Sequence, residues 1–312
     1  MIHTWHVVAN TVEIEWATTE QTPYLDVQTW TEVAGELTAL VPEPERARLV
    51  IADNFARTVD AYARQAPYEY GGAGDAEPAY DPDKPDGARS GAKTIPLTDM
   101  TVIVVDAGAI ALGALSVRRL LHHEAQHVRL RQHGDMAWAL HRRGPFTRPP
   151  GAIFAFVYVA QSLLDEYRCE TALEPAVAHA SAAMTVAPAD FADIAAMFEA
   201  ITDQYRSDGD LEAAFTSTLA GLDRLASFAA YATATIVRGE QTRAEWAAVE
   251  PVMIALDELR AVPSAAATMP QEDLAETVQR LATKAGLMAV SVGFRIEVDE
   301  DADQTSFFLL NV

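Results

Sequence analysis

Residues 120–135 read LLHHEAQHVRLRQHGD and hold four of the eight histidines in the chain. Within this stretch, residues 123–127 (HEAQH) match the pattern H-E-x-x-H. Helical apolar spacing runs through the stretch, and glycine is the commonest residue just past a helix end, so we predict one helix that ends at Gly134. This helix, a strand predicted before it at 100–106 and a buried helix predicted after it at 153–172 decide how the fold is interpreted.

Composition limits the classes of protein to consider. The 312 residues are 50% hydrophobic and 22% charged, which is typical of a globular chain. The formal net charge of −22 argues against non-specific binding to nucleic acid or to an anionic membrane. A single cysteine, Cys169, excludes an intramolecular disulfide framework and a zinc site made of cysteines alone.

The sequence also favours a cytoplasmic location. No secretory signal is visible at the start, and the longest apolar run, at 151–164, is shorter than the roughly twenty residues of a membrane span. Export by a route without a signal would leave the same pattern.

We predict an α+β fold that is predominantly helical, in three segments. Residues 1–95 form an α/β region with a strand at 5–16, a helix at 43–65 and a flexible loop rich in Gly, Pro and Asp at 66–93. Residues 96–180 form the segment that carries the H-E-x-x-H helix. Residues 181–312 form a helical region that ends in a β-hairpin, with helices predicted at 188–205, 210–237, 242–261 and 270–286.

The H-E-x-x-H pattern has a physical rationale as a metal site. On a helix, positions i and i+4 share one face, so His123 and His127 can both direct an imidazole nitrogen at one Zn²⁺ ion. Glu124 then lies near the open coordination position, where it can act as general base and later as general acid. The alternative is an exposed histidine-rich helix face with an accidental glutamate. A di-iron bundle would need a second E-x-x-H helix, and the sequence contains none.

A strand followed by an H-E-x-x-H helix resembles the zincin metallopeptidases, and the resemblance covers roughly residues 95–175. In that family the strand forms the edge of a sheet against which an extended peptide substrate pairs. The resemblance implies a zincin-like core, with the strand at 101–106 as this edge.

His133 is one candidate for the third metal ligand. The metzincins extend the motif to H-E-x-x-H-x-x-G-x-x-H, and His133 stands at the last position. The glycine of that motif breaks the helix with a positive φ, but here its position is Leu130, which also continues the apolar face. We therefore expect the helix to continue and to carry His133 away from the metal.

The following helix supplies carboxylates in the stretch LLDEYRCETALEP, which resembles the gluzincins. In that group a glutamate from a later helix completes the site, which favours Glu166 as the ligand. Glu170 would then accept a hydrogen bond from a ligand histidine. Asp165, and an exchange of the roles of Glu166 and Glu170, are alternatives. Another is that these are helix-surface carboxylates that pair with Arg168 or are exposed.

These residues predict a zinc-dependent hydrolase, most simply a metallopeptidase that acts on a peptide or protein substrate. Tyr158 lies two turns before Glu166 and is a candidate for stabilising the oxyanion. A regulatory protease with one dedicated substrate would show the same residues. A catalytically silent zincin-fold protein that binds a partner is the alternative from another class.

Overall fold

The computed structural model describes residues 6–9, 12–17, 27–66, 91–107, 114–137, 140, 151–178, 186–299 and 304–310. Within them the chain is predominantly helical with a small mixed sheet, as the α+β prediction required. Among the described helices, none is long and apolar enough to cross a membrane. Most of the predicted loop at 66–93 lies outside the described residues.

Seven strands and nine α-helices are described, and short 3₁₀ turns occur at Pro44–Arg46 and Pro188–Asp190. The strands are β1 (His6–Ala9), β2 (Val12–Ala17), β3 (Ala47–Ala52), β4 (Ala92–Pro96), β5 (Thr101–Asp106), β6 (Phe294–Asp299) and β7 (Gln304–Leu309). The helices are α1 (Val27–Leu40), α2 (Phe55–Ala63), α3 (Ala114–His133), α4 (Gly151–Thr171), α5 (Pro175–Ala178), α6 (Phe191–Asp208), α7 (Leu211–Val237), α8 (Glu250–Leu259) and α9 (Gln271–Ser291).

The chain divides into two compact units, Met1–Gly134 with Ala172–Met184, and Asp135–Thr171 with Thr185–Val312. The three segments expected from the sequence stay a prediction. The first unit contains a five-stranded sheet in the order β1-β2-β3-β5-β4. Strands β2, β3 and β5 run parallel, and β1 and β4 are antiparallel to their neighbours.

Alternate residues of this sheet pack against helices on its two faces. Leu49 and Ile51 belong to an apolar cluster with α1 and α3, whereas Val50 and Ala52 belong to a cluster with α2. Strands buried on both faces read as continuous apolar runs. The prediction of one helix over 43–65 was wrong for this reason. Its first half is the buried strand β3, and α2 begins at Phe55 after the N-cap Asn54.

The edge strand also differs from the prediction. The strand predicted at 101–106 exists as β5, but it lies between β3 and β4, so the expectation that it forms the edge was wrong. Residues 101–105 are all buried, which is typical of a central strand, whereas the edge strand β4 contains Lys93 and Pro96. The single strand expected at 5–16 is the antiparallel pair β1 and β2.

The second unit is a helical body with a terminal hairpin. α4 packs against α7 and α9, and β6 pairs with β7 as the sequence predicted. The helices predicted in this region are confirmed as α6, α7, α8 and α9, with one correction. α8 begins at Glu250 and not at 242, because Pro251 has no N–H to donate and is suited only to the first turn of a helix.

Candidate metal centre

The two histidines of the motif lie on α3, as predicted. A stripe of buried residues, Val117, Leu121, Ala125 and Val128, holds this helix on the sheet. The helix continues through the fully buried Leu130 to His133 and stops at Gly134, which has a φ of 76°. A positive φ is favourable for glycine, and it ends the helix where the sequence predicted.

The imidazoles of His123 and His127 converge. Their Nε2 atoms are 3.3 Å apart, and the ring planes meet at 69°. Two nitrogens that bind one tetrahedral Zn²⁺ at about 2.0–2.1 Å are separated by about 3.3–3.4 Å. His123 is 4% exposed and His127 is half-buried. The pair therefore has the spacing that a shared metal ion requires.

A carboxylate oxygen of Glu166 lies near these two imidazoles. One ligand atom from each of His123, His127 and Glu166 lies within 4.8 Å of the other two. Among the described residues, these three form the group whose atoms are placed to hold a metal ion. Two imidazoles and one carboxylate are a donor set of catalytic zinc sites, in which the fourth position stays open.

Glu124 is held by a side chain that the sequence did not point to. Thr94 on β4 lies on the sheet face that α3 covers, and its hydroxyl donates to Glu124 Oε2 at 2.6 Å. The same hydroxyl lies 3.2 Å from the backbone oxygen of Glu124. Since Glu124 is 8% exposed, this contact fixes a buried carboxylate next to the first histidine.

The other candidates for the third ligand lie outside the group of three. His133 is the last residue of α3. Asp165 is 4% exposed and accepts a hydrogen bond from the backbone N–H of Ala137 at 2.9 Å. The assignment of the ligand to Glu166 remains a prediction.

Glu170 pairs with a cation. Its Oε1 lies 3.3 Å from Nη2 of Arg238, and the Glu170 side chain is 1% exposed. Burial by itself lowers the pKa of Arg238, but the hydrogen bonds and charges of Glu240 and Glu170 more than offset it, so the net shift is upward. The predicted hydrogen bond from a ligand histidine to Glu170 stays a prediction.

Two tyrosines bear on the site in different ways. Tyr158, predicted to stabilise the oxyanion, is 41% exposed on α4, and its role stays a prediction. Tyr231 on α7 was missed, and its hydroxyl donates to Glu166 Oε2 at 2.8 Å. Tyr231 lies 65 residues after Glu166 along the chain, so local spacing gives no signal for this contact.

A buried ion pair anchors α4 two residues after Glu166. The Arg168 side chain is 0% exposed, and its Nη2 donates to Asp135 Oδ2 at 2.8 Å. The same guanidinium donates to the backbone oxygens of Asp135, Pro263 and Ala267. Arg168 therefore pairs with Asp135, which argues against the alternative that Arg168 pairs with the carboxylates of its own helix.

Comparison with known proteins adds no relative: no family model, curated protein or solved structure matches the chain.

Proposed function

We propose that the chain is a zinc-dependent metallopeptidase with a zincin-like core. The observation that carries the proposal is the convergence of ligand atoms from His123, His127 and Glu166, with Glu124 adjacent to the first ligand. An accidental histidine-rich helix face gives no reason for two imidazoles, one of them only 4% exposed, to lie close to a carboxylate oxygen.

The donor set favours zinc among the metal ions that proteins bind. Imidazole nitrogens suit zinc, copper, iron and nickel, and a site of two histidines and one carboxylate with an open position is typical of hydrolytic zinc. A zinc ion held there supplies Lewis acidity, which polarises a carbonyl and makes a water molecule acidic near neutral pH.

The side chains of the chain divide the remaining work. His123, His127 and Glu166 hold the ion. Glu124 takes a proton from the attacking water and passes it to the leaving amine. Thr94 occupies Oε2 of Glu124, and this fixes the direction in which the carboxylate points.

The proposed substrate is an extended peptide or a protein segment. β4 is at one edge of the sheet and pairs with a single strand, β5, among the described residues. A peptide can add to such an edge through backbone hydrogen bonds. Thr94 lies on this same strand, so peptide pairing and the orientation of Glu124 would depend on one element.

A comparison of wild type with Glu124→Gln tests the proposal. Zinc content and hydrolysis of a broad peptide library are measured for both proteins. We expect both to hold zinc and only wild type to hydrolyse peptides. A matched control is Glu174→Gln, which changes an exposed glutamate and should leave activity unchanged. Stoichiometric zinc without hydrolysis in wild type would contradict the peptidase and favour a catalytically silent, partner-binding protein.

A further inference from the structure

Tyr231 contacts the carboxylate that we propose as the third metal ligand. Its hydroxyl donates to Glu166 Oε2 at 2.8 Å, and both side chains are half-buried. The two residues come from α7 and α4, which pack extensively against each other.

The position of this hydroxyl is fixed by its helix. The residues on either side of Tyr231, Ala230 and Ala232, are both 0% exposed, and Tyr231 itself packs against the main apolar cluster of the unit. A tyrosine has only two side-chain torsions to order, so a buried helix holds its hydroxyl firmly. Glu166, by contrast, has three side-chain torsions and loses more rotamer freedom when it is fixed.

Hydrogen bonds to a ligating carboxylate set its orientation and contribute to metal affinity. A phenol that donates to one oxygen of Glu166 selects one rotation of the carboxylate before any metal arrives. The ordering cost of the ligand is then met in the folded protein and does not reduce the affinity for the ion.

We propose that Tyr231 is a positioning residue for the metal site, and that its hydroxyl orients Glu166 for binding a divalent cation. This inference rests on the proposed function only for the identity of the ligands, since it concerns metal affinity and not catalysis. Loss of such a hydrogen-bond partner typically lowers metal affinity about 10–100-fold.

The test measures zinc dissociation constants by competition with a chromophoric chelator. The proteins are wild type, Tyr231→Phe and Tyr205→Phe, the last as a control that removes a hydroxyl from another half-buried tyrosine of the same unit. We expect Tyr231→Phe to bind zinc about 10–100-fold more weakly and Tyr205→Phe to bind as wild type does. Thermal unfolding of the zinc-free proteins is recorded in parallel.

The background of Glu166→Ala separates positioning from a general structural effect. If Tyr231 acts through Glu166, Tyr231→Phe changes zinc affinity in wild type and has no effect once Glu166 is absent. An equal loss of affinity in both backgrounds, or unchanged affinity in Tyr231→Phe, overturns the inference while leaving the zinc site in place. Absence of zinc binding by wild type overturns this inference and the proposed function together.

Discussion

Removing the carboxylate of Asp135 should destabilise the second unit strongly. Asp135 Oδ2 accepts from Arg168 Nη2 at 2.8 Å and from the backbone N–H of Met269 at 2.9 Å. The side chains of Arg168 and Asp135 are 0% and 3% exposed. Asp135→Ala would therefore leave a buried guanidinium without its counter-charge.

The expected loss in the free energy of unfolding follows from the burial of this ion pair. Removing one partner of a buried ion pair costs roughly 3–5 kcal/mol, because the remaining charge stays desolvated and uncompensated. For a folded unit of this size, that loss lowers the melting temperature by roughly 10 °C. The matched control is Asp203→Ala, which breaks a pair with Arg206 whose side chains are 75% and 45% exposed. An exposed pair contributes about 0–1 kcal/mol.

Urea unfolding followed by circular dichroism measures both variants. A double variant, Asp135→Ala with Arg168→Met, should be more stable than Asp135→Ala alone, because it removes the unpaired charge. A cost of Asp135→Ala no larger than that of the surface control would contradict this prediction, as would a double variant as unstable as the sum of the two single changes.

Three further predictions concern the described residues. Thr94→Val removes the hydroxyl that donates to Glu124, so kcat should fall about 10-fold while zinc content and KM stay unchanged. Thr94→Ser should restore kcat, and an unchanged kcat in Thr94→Val would contradict the orienting role of Thr94. Gly221→Ala places a Cβ 2.9 Å from a ring carbon of Phe198 and should cost about 1–3 kcal/mol in urea unfolding. Gly35→Ala adds a Cβ with nothing within 4 Å on an exposed helix face, so it should raise the free energy of unfolding by about 0.5–1 kcal/mol. Equal effects of Gly35→Ala and Gly221→Ala would contradict the close packing at Gly221. Burial raises the pKa of Tyr167 from 10.0 to about 12. The unfolded chain therefore loses this proton first, so wild type should lose roughly 2 kcal/mol of stability relative to Tyr167→Phe as pH rises from 10 to 12, and parallel pH curves would contradict it.

Local patterns predicted the elements that carry the proposed ligands. The H-E-x-x-H motif, the apolar spacing around it and Gly134 placed α3 correctly. The apolar run with embedded acids predicted a helix at 153–172, which the structure confirms as α4, and the alternating tail predicted the hairpin. Each of these signals lies within one element, and the buried stripe of each helix repeats at the helical period.

Features that depend on distant contacts were not predictable in this way. The sequence of β3 is equally compatible with a helix and with a strand, because a short apolar run has no period that separates the two. The edge position of β4 follows from strand order, which the sequence of a single chain does not display. Thr94 and Tyr231 reach their carboxylates across 30 and 65 residues of chain, and a lone threonine or tyrosine has no local signature of such a role.

The zinc content of purified wild type, Glu166→Ala and His133→Ala after dialysis tests the proposed ligand set most directly. We expect one zinc ion per chain in wild type and in His133→Ala, and a large loss of zinc in Glu166→Ala. Zinc retained in Glu166→Ala but lost in His133→Ala would contradict the proposed ligand set.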